Sequence, residues 1–293
     1  GDVGTALTAT LGSDANDNID ITTITVSGGT GGGTDGGGAS TLTVTGVLVD
    51  PSGGITLNGG VSSAGVGGAA NMTVTPAVTA LTGAIAVNGG LGTGAQTGGA
   101  SKLLFSGAVS GVTSNVTITS GAGGAAGTGG AAEMETDAAF TSTGTITVQG
   151  GAGGQATGKD GGIADYDADG TYDIAGLTAI GGNGTTSAHT GDGGLARVIG
   201  AAAATVGSSG ITITGGNGAS GTAAGLGGNA SLVNDLTTTA TGNITVTGGN
   251  GGTGDNAANG GTAAATFTGA LTATSQTLTI TGGNGDGTRT SNG

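Results

Sequence analysis

Short segments in which apolar and polar residues alternate recur along the chain, and each is followed by Gly-Gly or a close variant. The clearest is Ile-Thr-Val-Thr-Gly-Gly-Asn-Gly at residues 244–251. Related segments begin at Ile24, Ile55, Ile211 and Leu278. Alternation with a period of two, built from β-branched residues, predicts short strands that bury one face.

The spacing of the residues that directly follow these strands gives the length of the repeat. These positions recur at intervals of 30 to 34 residues, at Gly28, Gly59, Gly89, Ser120, Gly150, Gly181, Gly215, Gly248 and Gly282. A fixed period of this size indicates a stacked repeat architecture. We therefore predict one all-β domain over residues 1–293: a parallel β-helix (β-solenoid) of about nine coils, with its Gly-rich connections on one side.

Each repeat contains a second strand signal, which follows the Gly-rich connection. Its equivalent apolar positions are Leu42, Met72, Leu103, Met134, Tyr166, Val198, Leu232 and Ala265. A less regular turn separates this strand from the Ile-Thr-Val strand. Nearly all the drift in repeat length falls in the Gly-rich connection, whose steady length and small residues favour an ordered third side over mobile loops.

Charged residues cluster on the outward side of this second strand. The repeat places Lys102 beside Glu133 and Asp165 beside Arg197, as two ion pairs across neighbouring strands. It also places Glu135 beside Asp167 and Asp137 beside Asp169, with no basic residue expected nearby. Like charges in such positions destabilise a sheet, and a divalent cation would remove the conflict.

The same region carries a calcium-loop pattern, Asp-x-Asp-x-Asp-Gly at residues 165–170. The predicted Ca²⁺ ligands are Glu135, Asp137, Asp165, Asp167, Asp169 and Asp173. A complete EF-hand is excluded because Gly176 stands where the bidentate Glu is required. The alternative is a solvated acidic strand that limits edge-to-edge association. A weaker acidic cluster consists of Asp14, Asp17 and Asp20.

Threonine forms a row along the Ile-Thr-Val strands. The row reads Thr25, Thr56, Ala86, Thr117, Thr147, Thr178, Thr212, Thr245 and Thr279. It looks like the flat Thr array of β-helical ice-binding proteins, which makes ice one candidate ligand. Thr is also favoured on any exposed strand, where stacked Thr pairs hydrogen-bond, so a purely structural role stays open.

Composition narrows the possible functions. The chain has 293 residues, 74 of them Gly, and a formal net charge of −14 with four Lys and Arg. This charge argues against nucleic acid and anionic membrane surfaces as partners. Cysteine is absent, which excludes disulfides and thiolate metal sites, and no apolar run reaches membrane-spanning length. We expect no enzyme, because the single His189 lies in a Gly-rich connection and aromatic sugar platforms are scarce.

The Ile-Thr-Val-Thr-Gly-Gly-Asn-Gly repeats cover almost the whole chain, and in them the sequence resembles β-strand-repeat surface proteins and autotransporter-type passengers or adhesins of bacteria. The resemblance implies a secreted or cell-surface fibre, or an adhesin stalk that contacts surface glycans. It identifies no particular member.

The two ends of the sequence lack obvious polar caps, which solitary solenoids need for solubility. We expect either subunits that stack head to tail as a homopolymer or a chain cut from a longer solenoid. The resulting prediction is an extracellular structural protein that builds a surface fibre, stabilised by calcium; an adhesin or ice-binding module is the alternative.

Overall fold

The computed structural model describes residues 4–12, 18–32, 35–154, 158–185, 191–221, 223–254 and 258–285. Over these residues the chain is all-β, and its parallel strands stack as a β-solenoid of about eight turns. The predicted fold is confirmed, and the predicted count of nine coils is close. At about 4.8 Å per turn the solenoid is a rod roughly 40 Å long.

The strands, numbered in chain order, form two long sheets and one small one. The first sheet holds β1 (Leu7–Leu11), β4 (Ser40–Val44), β7 (Ala70–Val74), β9 (Ser101–Phe105), β12 (Ala132–Thr136), β14 (Ala164–Ala168), β16 (Ala196–Gly200), β18 (Ala230–Asn234) and β21 (Ala263–Phe267). The second holds β3 (Thr23–Ser27), β6 (Gly54–Asn58), β8 (Ile85–Asn88), β10 (Val109–Val112), β11 (Val116–Thr119), β13 (Phe140–Gln149), β15 (Tyr172–Ile180), β17 (Ala204–Thr214), β19 (Thr238–Ala240), β20 (Ile244–Thr247), β22 (Leu271–Ala273) and β23 (Leu278–Thr281). The small sheet pairs β2 (Asn18–Asp20) with β5 (Val47–Val49).

The first sheet has the register that the repeat predicts. Leu42 pairs with Met72, Met72 with Leu103, and the column continues to Ala265 without a shift. The inward side chains alternate with half-buried outward ones, and Leu42, Met72 and Leu103 have no solvent exposure. The two long sheets enclose one continuous narrow core.

A third set of inward residues lies in the stretch predicted only as an irregular turn. Val78, Val109, Phe140 and Tyr172 are in register there, and the column continues through Ala204, Thr238 and Leu271. In β13, β15 and β17 this stretch joins the following strand into one long element. Register shifts within these strands break the period of two, and for this reason the pattern was not visible in the sequence.

The Gly-rich side of each coil is held by a chain of backbone hydrogen bonds, which we call the glycine seam. It alternates between the second Gly after each Ile-Thr-Val strand and the last Gly of each connection. Gly283 donates to Gly261, Gly261 to Gly249 and Gly249 to Gly228, and the pattern continues to Gly29 with N···O distances of 2.7–2.9 Å. The described parts of the connections are therefore ordered, as predicted.

The seam requires glycine because two backbones meet there with no side chains between them. A Cβ on Gly151 would overlap the carbonyl oxygen of Gly121 and lie 2.9 Å from the nitrogen of Gly130. A Cβ on Gly162 would overlap the Gly130 carbonyl and lie 3.0 Å from the Gly151 nitrogen. The strand side of each coil thus encloses an apolar core, and the Gly-rich side is closed by direct backbone contact.

Two glycines at the repeat position just before the seam, Gly248 and Gly282, test the same close backbone approach. A Cβ on Gly248 would lie 2.6 Å from the Gly261 carbonyl carbon and 2.9 Å from the Gly283 nitrogen, whereas one on Gly282 would have, among the described residues, only the Gly261 oxygen at 3.8 Å. We expect Gly248→Ala to destabilise the fold by about 1–3 kcal/mol, the usual cost of overpacking. Gly282→Ala should change stability by less than about 0.5 kcal/mol.

Denaturant unfolding of both variants, at a concentration where the protein is a single rod, measures the difference. Equal midpoints for Gly248→Ala and Gly282→Ala would contradict the steric role of glycine beside the seam.

Candidate functional site

The outward face of the first sheet carries the predicted charge cluster. Lys102 on β9 donates from Nζ to Glu133 at 3.0 Å and to Glu135 at 2.7 Å. Arg197 on β16 donates from Nε to Asp165 Oδ1 at 2.9 Å, and its Nη2 contacts the other carboxylate oxygen. Both predicted ion pairs are confirmed. Each is partly exposed and contributes at most about 1 kcal/mol.

The expectation that no base lies near Glu135 was wrong. Glu135 is directly opposite Leu104, but Lys102 lies on the diagonal, two residues earlier on the same neighbouring strand. A lysine side chain is long enough to reach a diagonal neighbour on the adjacent strand. The hydrogen bond to Glu135 is the main factor that raises the pKa of the Lys102 ammonium.

Asp167 is the carboxylate in the least favourable surroundings. It lies directly between Glu135 and Ile199 in the register of the sheet. Partial burial, together with the charges of Asp165 and Asp169, raises its pKa, while the charge of Arg197 opposes the rise. The ionised form of Asp167 is therefore less favourable in the folded protein than in the unfolded chain.

The six predicted calcium ligands are not all on one surface. Asp137 and Asp169 follow β12 and β14 at equivalent positions, where their N–H groups donate to Phe105 and Thr136. Asp173 lies on β15 in the second sheet, between Thr141 and Thr205. Among the described residues no group of three or more His, Cys, Asp or Glu side chains has a metal-binding arrangement. Calcium binding stays a prediction.

Two other sequence candidates fall largely outside the described residues. Asp14 and Asp17 lie there, as does His189, while Asp20 belongs to β2. A shallow cavity of about 320 Å³ has Asp192, Asn229 and Leu226 among its lining residues. Its polar side chains already bond to neighbouring coils, since Asp192 Oδ1 accepts from the Leu226 N–H and Asn229 Oδ1 from the Thr262 N–H.

The threonine row is a continuous outward feature of the second sheet. Thr25 pairs with Thr56, Thr212 with Thr245 and Thr245 with Thr279, and the positions between them are in the same register. A parallel row two residues later reads Ser27, Asn58, Asn88, Thr119, Gln149, Ile180, Thr214, Thr247 and Thr281. Neither row contains a charged residue, in contrast to the first sheet.

Asn and Asp side chains connect successive coils in a way that the sequence analysis missed. Asn183 Oδ1 accepts the N–H of Asn217 at 2.8 Å, and Asn217 Oδ1 accepts that of Asn250 at 2.8 Å. Asp50 does the same for Thr82, and Asp160 for Asp192. The signal was an Asn or Asp that recurs at one place in successive repeats, as at Asn183, Asn217 and Asn250, and these contacts give several acidic residues a structural role.

A buried polar cluster crosses the core and also had no sequence signal. Tyr172 donates to Asn234 Oδ1 at 3.3 Å, and Asn234 Nδ2 donates to Thr238 Oγ1 at 2.8 Å. The Tyr172 ring passes Gly200, where a Cβ would lie 2.7 Å from the ring. Burial raises the pKa of Tyr172 to about 12. This contact between residues 62 positions apart depends on Gly200 having no side chain.

No described segment forms a helix that is long and apolar enough to span a membrane. A scan of protein-family models finds no match to this chain, and comparisons with curated proteins and with solved structures find no significant match either. The surfaces themselves are the basis for any functional conclusion.

The raised pKa of Asp167 leads to a prediction with a definite sign. A carboxyl group whose pKa is higher in the folded than in the unfolded state destabilises the fold increasingly as pH rises through these values. We expect Asp167→Asn to stabilise the protein at neutral pH by less than about 1 kcal/mol. The gain should disappear at acid pH, where Asp167 is neutral in both states.

Thermal melts in chelator at neutral and acid pH measure this difference, with Asp173→Asn on the other sheet as the control. Destabilisation by Asp167→Asn at neutral pH would contradict the prediction. A melting temperature that calcium raises in the unmodified protein but not in Asp167→Asn would instead support the predicted calcium site.

Proposed function

We propose that this chain is a secreted or cell-surface structural protein whose rods stack head to tail into a fibre. The observation that carries the proposal is that the two ends of the solenoid present matching edges. β1 at one end pairs only with β4, and β21 at the other pairs only with β18 among the described strands. Unpaired parallel edges favour the addition of another strand.

Apolar side chains are also incompletely covered at both edges. Leu278 and Ile280 on β23 are 41% and 46% exposed, whereas Ile244 and Val246, one turn earlier, are 2% and 0% exposed. At the other end Leu7 is 46% exposed. A further turn stacked on either edge would bury these side chains, and each would contribute on the order of 1 kcal/mol.

The repeat register indicates how two copies would join. Stacking at one coil spacing would bring Leu278 and Ile280 of one copy over Ile24 and Val26 of the next. The same step would bring Phe267 over Leu11, in a column that holds Val44, Val74 and Phe105 but also the buried polar residues Thr136 and Asn234. The join would therefore place apolar side chains against apolar side chains at these positions.

The glycine seam would continue across the join as well. Gly29 donates to the Thr5 carbonyl at 2.8 Å, so Thr5 occupies the position that the last Gly of a connection has in later turns. In a stack the Thr5 N–H would donate to the carbonyl of Gly283 in the adjacent copy. Residues 4–12 and 258–285 contain no charged side chain, whereas Asp20 on β2 also belongs to the first turn.

Gly282→Ala provides a specific test of stacking. Within one rod its Cβ has room, but in a stack it would meet the backbone of the next copy, as a Cβ on Gly248 meets Gly261 and Gly283. We expect the unmodified protein to form filaments in negative-stain electron microscopy and concentration-dependent masses in light scattering. Gly282→Ala should give single rods with unchanged melting.

Thr279→Ala, an outward change on the same terminal strand, is the matched control and should still form filaments. Single rods of the unmodified protein at the highest attainable concentration would overturn the proposal and favour a segment of a longer solenoid.

Ice binding is a second candidate, favoured by the uncharged double row on the second sheet. Ice presents a fixed lattice, so its binder must hold hydroxyl groups rigidly at regular spacings. Threonine has a restricted χ1 angle. Neighbours within a row are about 4.8 Å apart, and the two rows are roughly 6.6 Å apart along each strand. In the last three strands both rows are entirely Thr, at Thr212, Thr214, Thr245, Thr247, Thr279 and Thr281.

An ice-recrystallisation assay separates this candidate from a purely structural role. We expect the protein to inhibit crystal growth, Thr245→Lys to abolish the effect by placing a long charged side chain on the flat face, and Thr41→Lys on the first sheet to retain it. Growth that is unaffected by the unmodified protein would exclude ice, and surface glycans would then be the next predicted partner to test.

A further inference from the structure

Three identical segments of the chain differ only in their place in the stack. Thr-Gly-Gly-Asn-Gly occurs at residues 214–218, 247–251 and 281–285. An Asn-Gly pair is prone to one intramolecular reaction, because glycine lacks the side chain that would hinder the backbone nitrogen after Asn from approaching the Asn side-chain amide.

In the first two segments the next coil engages both reacting groups. The Gly218 N–H donates to the Asn250 carbonyl at 2.8 Å, and Asn217 Oδ1 accepts the Asn250 N–H at 2.8 Å. One turn later the Gly251 N–H donates to the Asn284 carbonyl at 2.8 Å, and Asn250 Oδ1 accepts the Asn284 N–H at 2.9 Å. In each case one Asn of the covering coil, Asn250 or Asn284, bonds both to the backbone nitrogen of the Gly and to the side-chain amide of the Asn before it.

The third segment belongs to the outermost described coil. Asn284 and Gly285 are exposed, and no described residue bonds to the Gly285 N–H or to Asn284 Oδ1. The adjacent strand β23 pairs only with β20 in the described chain. Among the described residues, the segment at 281–285 therefore lacks the two contacts that hold the identical segments at 214–218 and 247–251.

We propose that Asn284 is a site of spontaneous deamidation and that coil stacking suppresses the same reaction at Asn217 and Asn250. The Gly285 nitrogen attacks Cγ of Asn284, a C–N bond forms, the Cγ–Nδ2 bond breaks, and ammonia leaves with the proton from the backbone nitrogen. Water then opens the succinimide to aspartate or isoaspartate.

The covering coil opposes two parts of this reaction. The attacking nitrogen must lose its proton, which in the covered segments is donated to a carbonyl of the next coil. The side chain must also turn towards that nitrogen, while its Oδ1 is held by the covering backbone. Reaction at Asn217 or Asn250 therefore requires local separation of the coils, which the interior of the rod resists.

The identical pentapeptides supply the internal control. The native protein is incubated at mildly alkaline pH, at a dilution where light scattering shows single rods, and digested with thermolysin. Mass spectrometry then quantifies succinimide, aspartate and isoaspartate at each Asn. We expect Asn284 to react about tenfold faster than Asn217 and Asn250, or more, because only the latter two need local opening.

The same incubation in denaturant should give three equal rates, since the local sequences are the same. Equal rates at the three sites in the native protein, whether all fast or all slow, would overturn the inference. The measurement uses single rods, so its outcome does not depend on whether the rods also stack into fibres.

Discussion

Backbone hydrogen bonding between consecutive coils is the interaction on which the rest of this structure depends. On the strand side it forms two parallel sheets around an apolar core, but on the other side there is no core to fill. There the glycine seam brings two backbones into direct contact, from Gly29 to Gly283. The seam glycines are therefore a geometric requirement of this cross-section, and a Cβ at Gly151 or Gly162 would separate the coils.

The same constraint determines where polar side chains are placed. A coil bonds to its neighbours along its whole perimeter, so corner positions that leave an N–H unpaired need an acceptor from the adjacent turn. Asp50, Asn183 and Asn217 supply such acceptors. Part of the chain's negative charge is thus used between coils rather than collected at a site.

The fold was predictable because a solenoid repeats its physical environment every turn. Leu42, Met72 and Leu103 occupy one column, and the fixed period alone was enough to align them. The third strand column was missed because register shifts in β13 and β15 interrupt the alternation on which strand prediction relies. An ordered Gly-rich side was expected from its steady length. The hydrogen bonds of the glycine seam could not be predicted, because they form only when the coil closes and no local sequence pattern specifies their partners.

On the charged face, the sequence predicted some side-chain contacts and missed others. Register predicted the pairs Lys102–Glu133 and Asp165–Arg197, because directly opposed residues need only a count along the chain. It missed the bond from Lys102 to Glu135, which depends on side-chain length across a diagonal, and the bond from Tyr172 to Asn234, which depends on the missing Cβ of Gly200.

Equivalent outward residues of successive coils line up in a row. If one repeat position usually holds the same residue type, the row forms an extended surface of that type. The first sheet displays mixed charges in this way, and the threonine rows of the second sheet display none. A binding or active-site pocket brings different side chains together at one place. In a solenoid this would require one coil to differ from its neighbours. In this chain the described irregularities, such as Gly200 and Asn234, face inward and serve packing. The repeated outward rows are therefore the extended surfaces that this architecture presents.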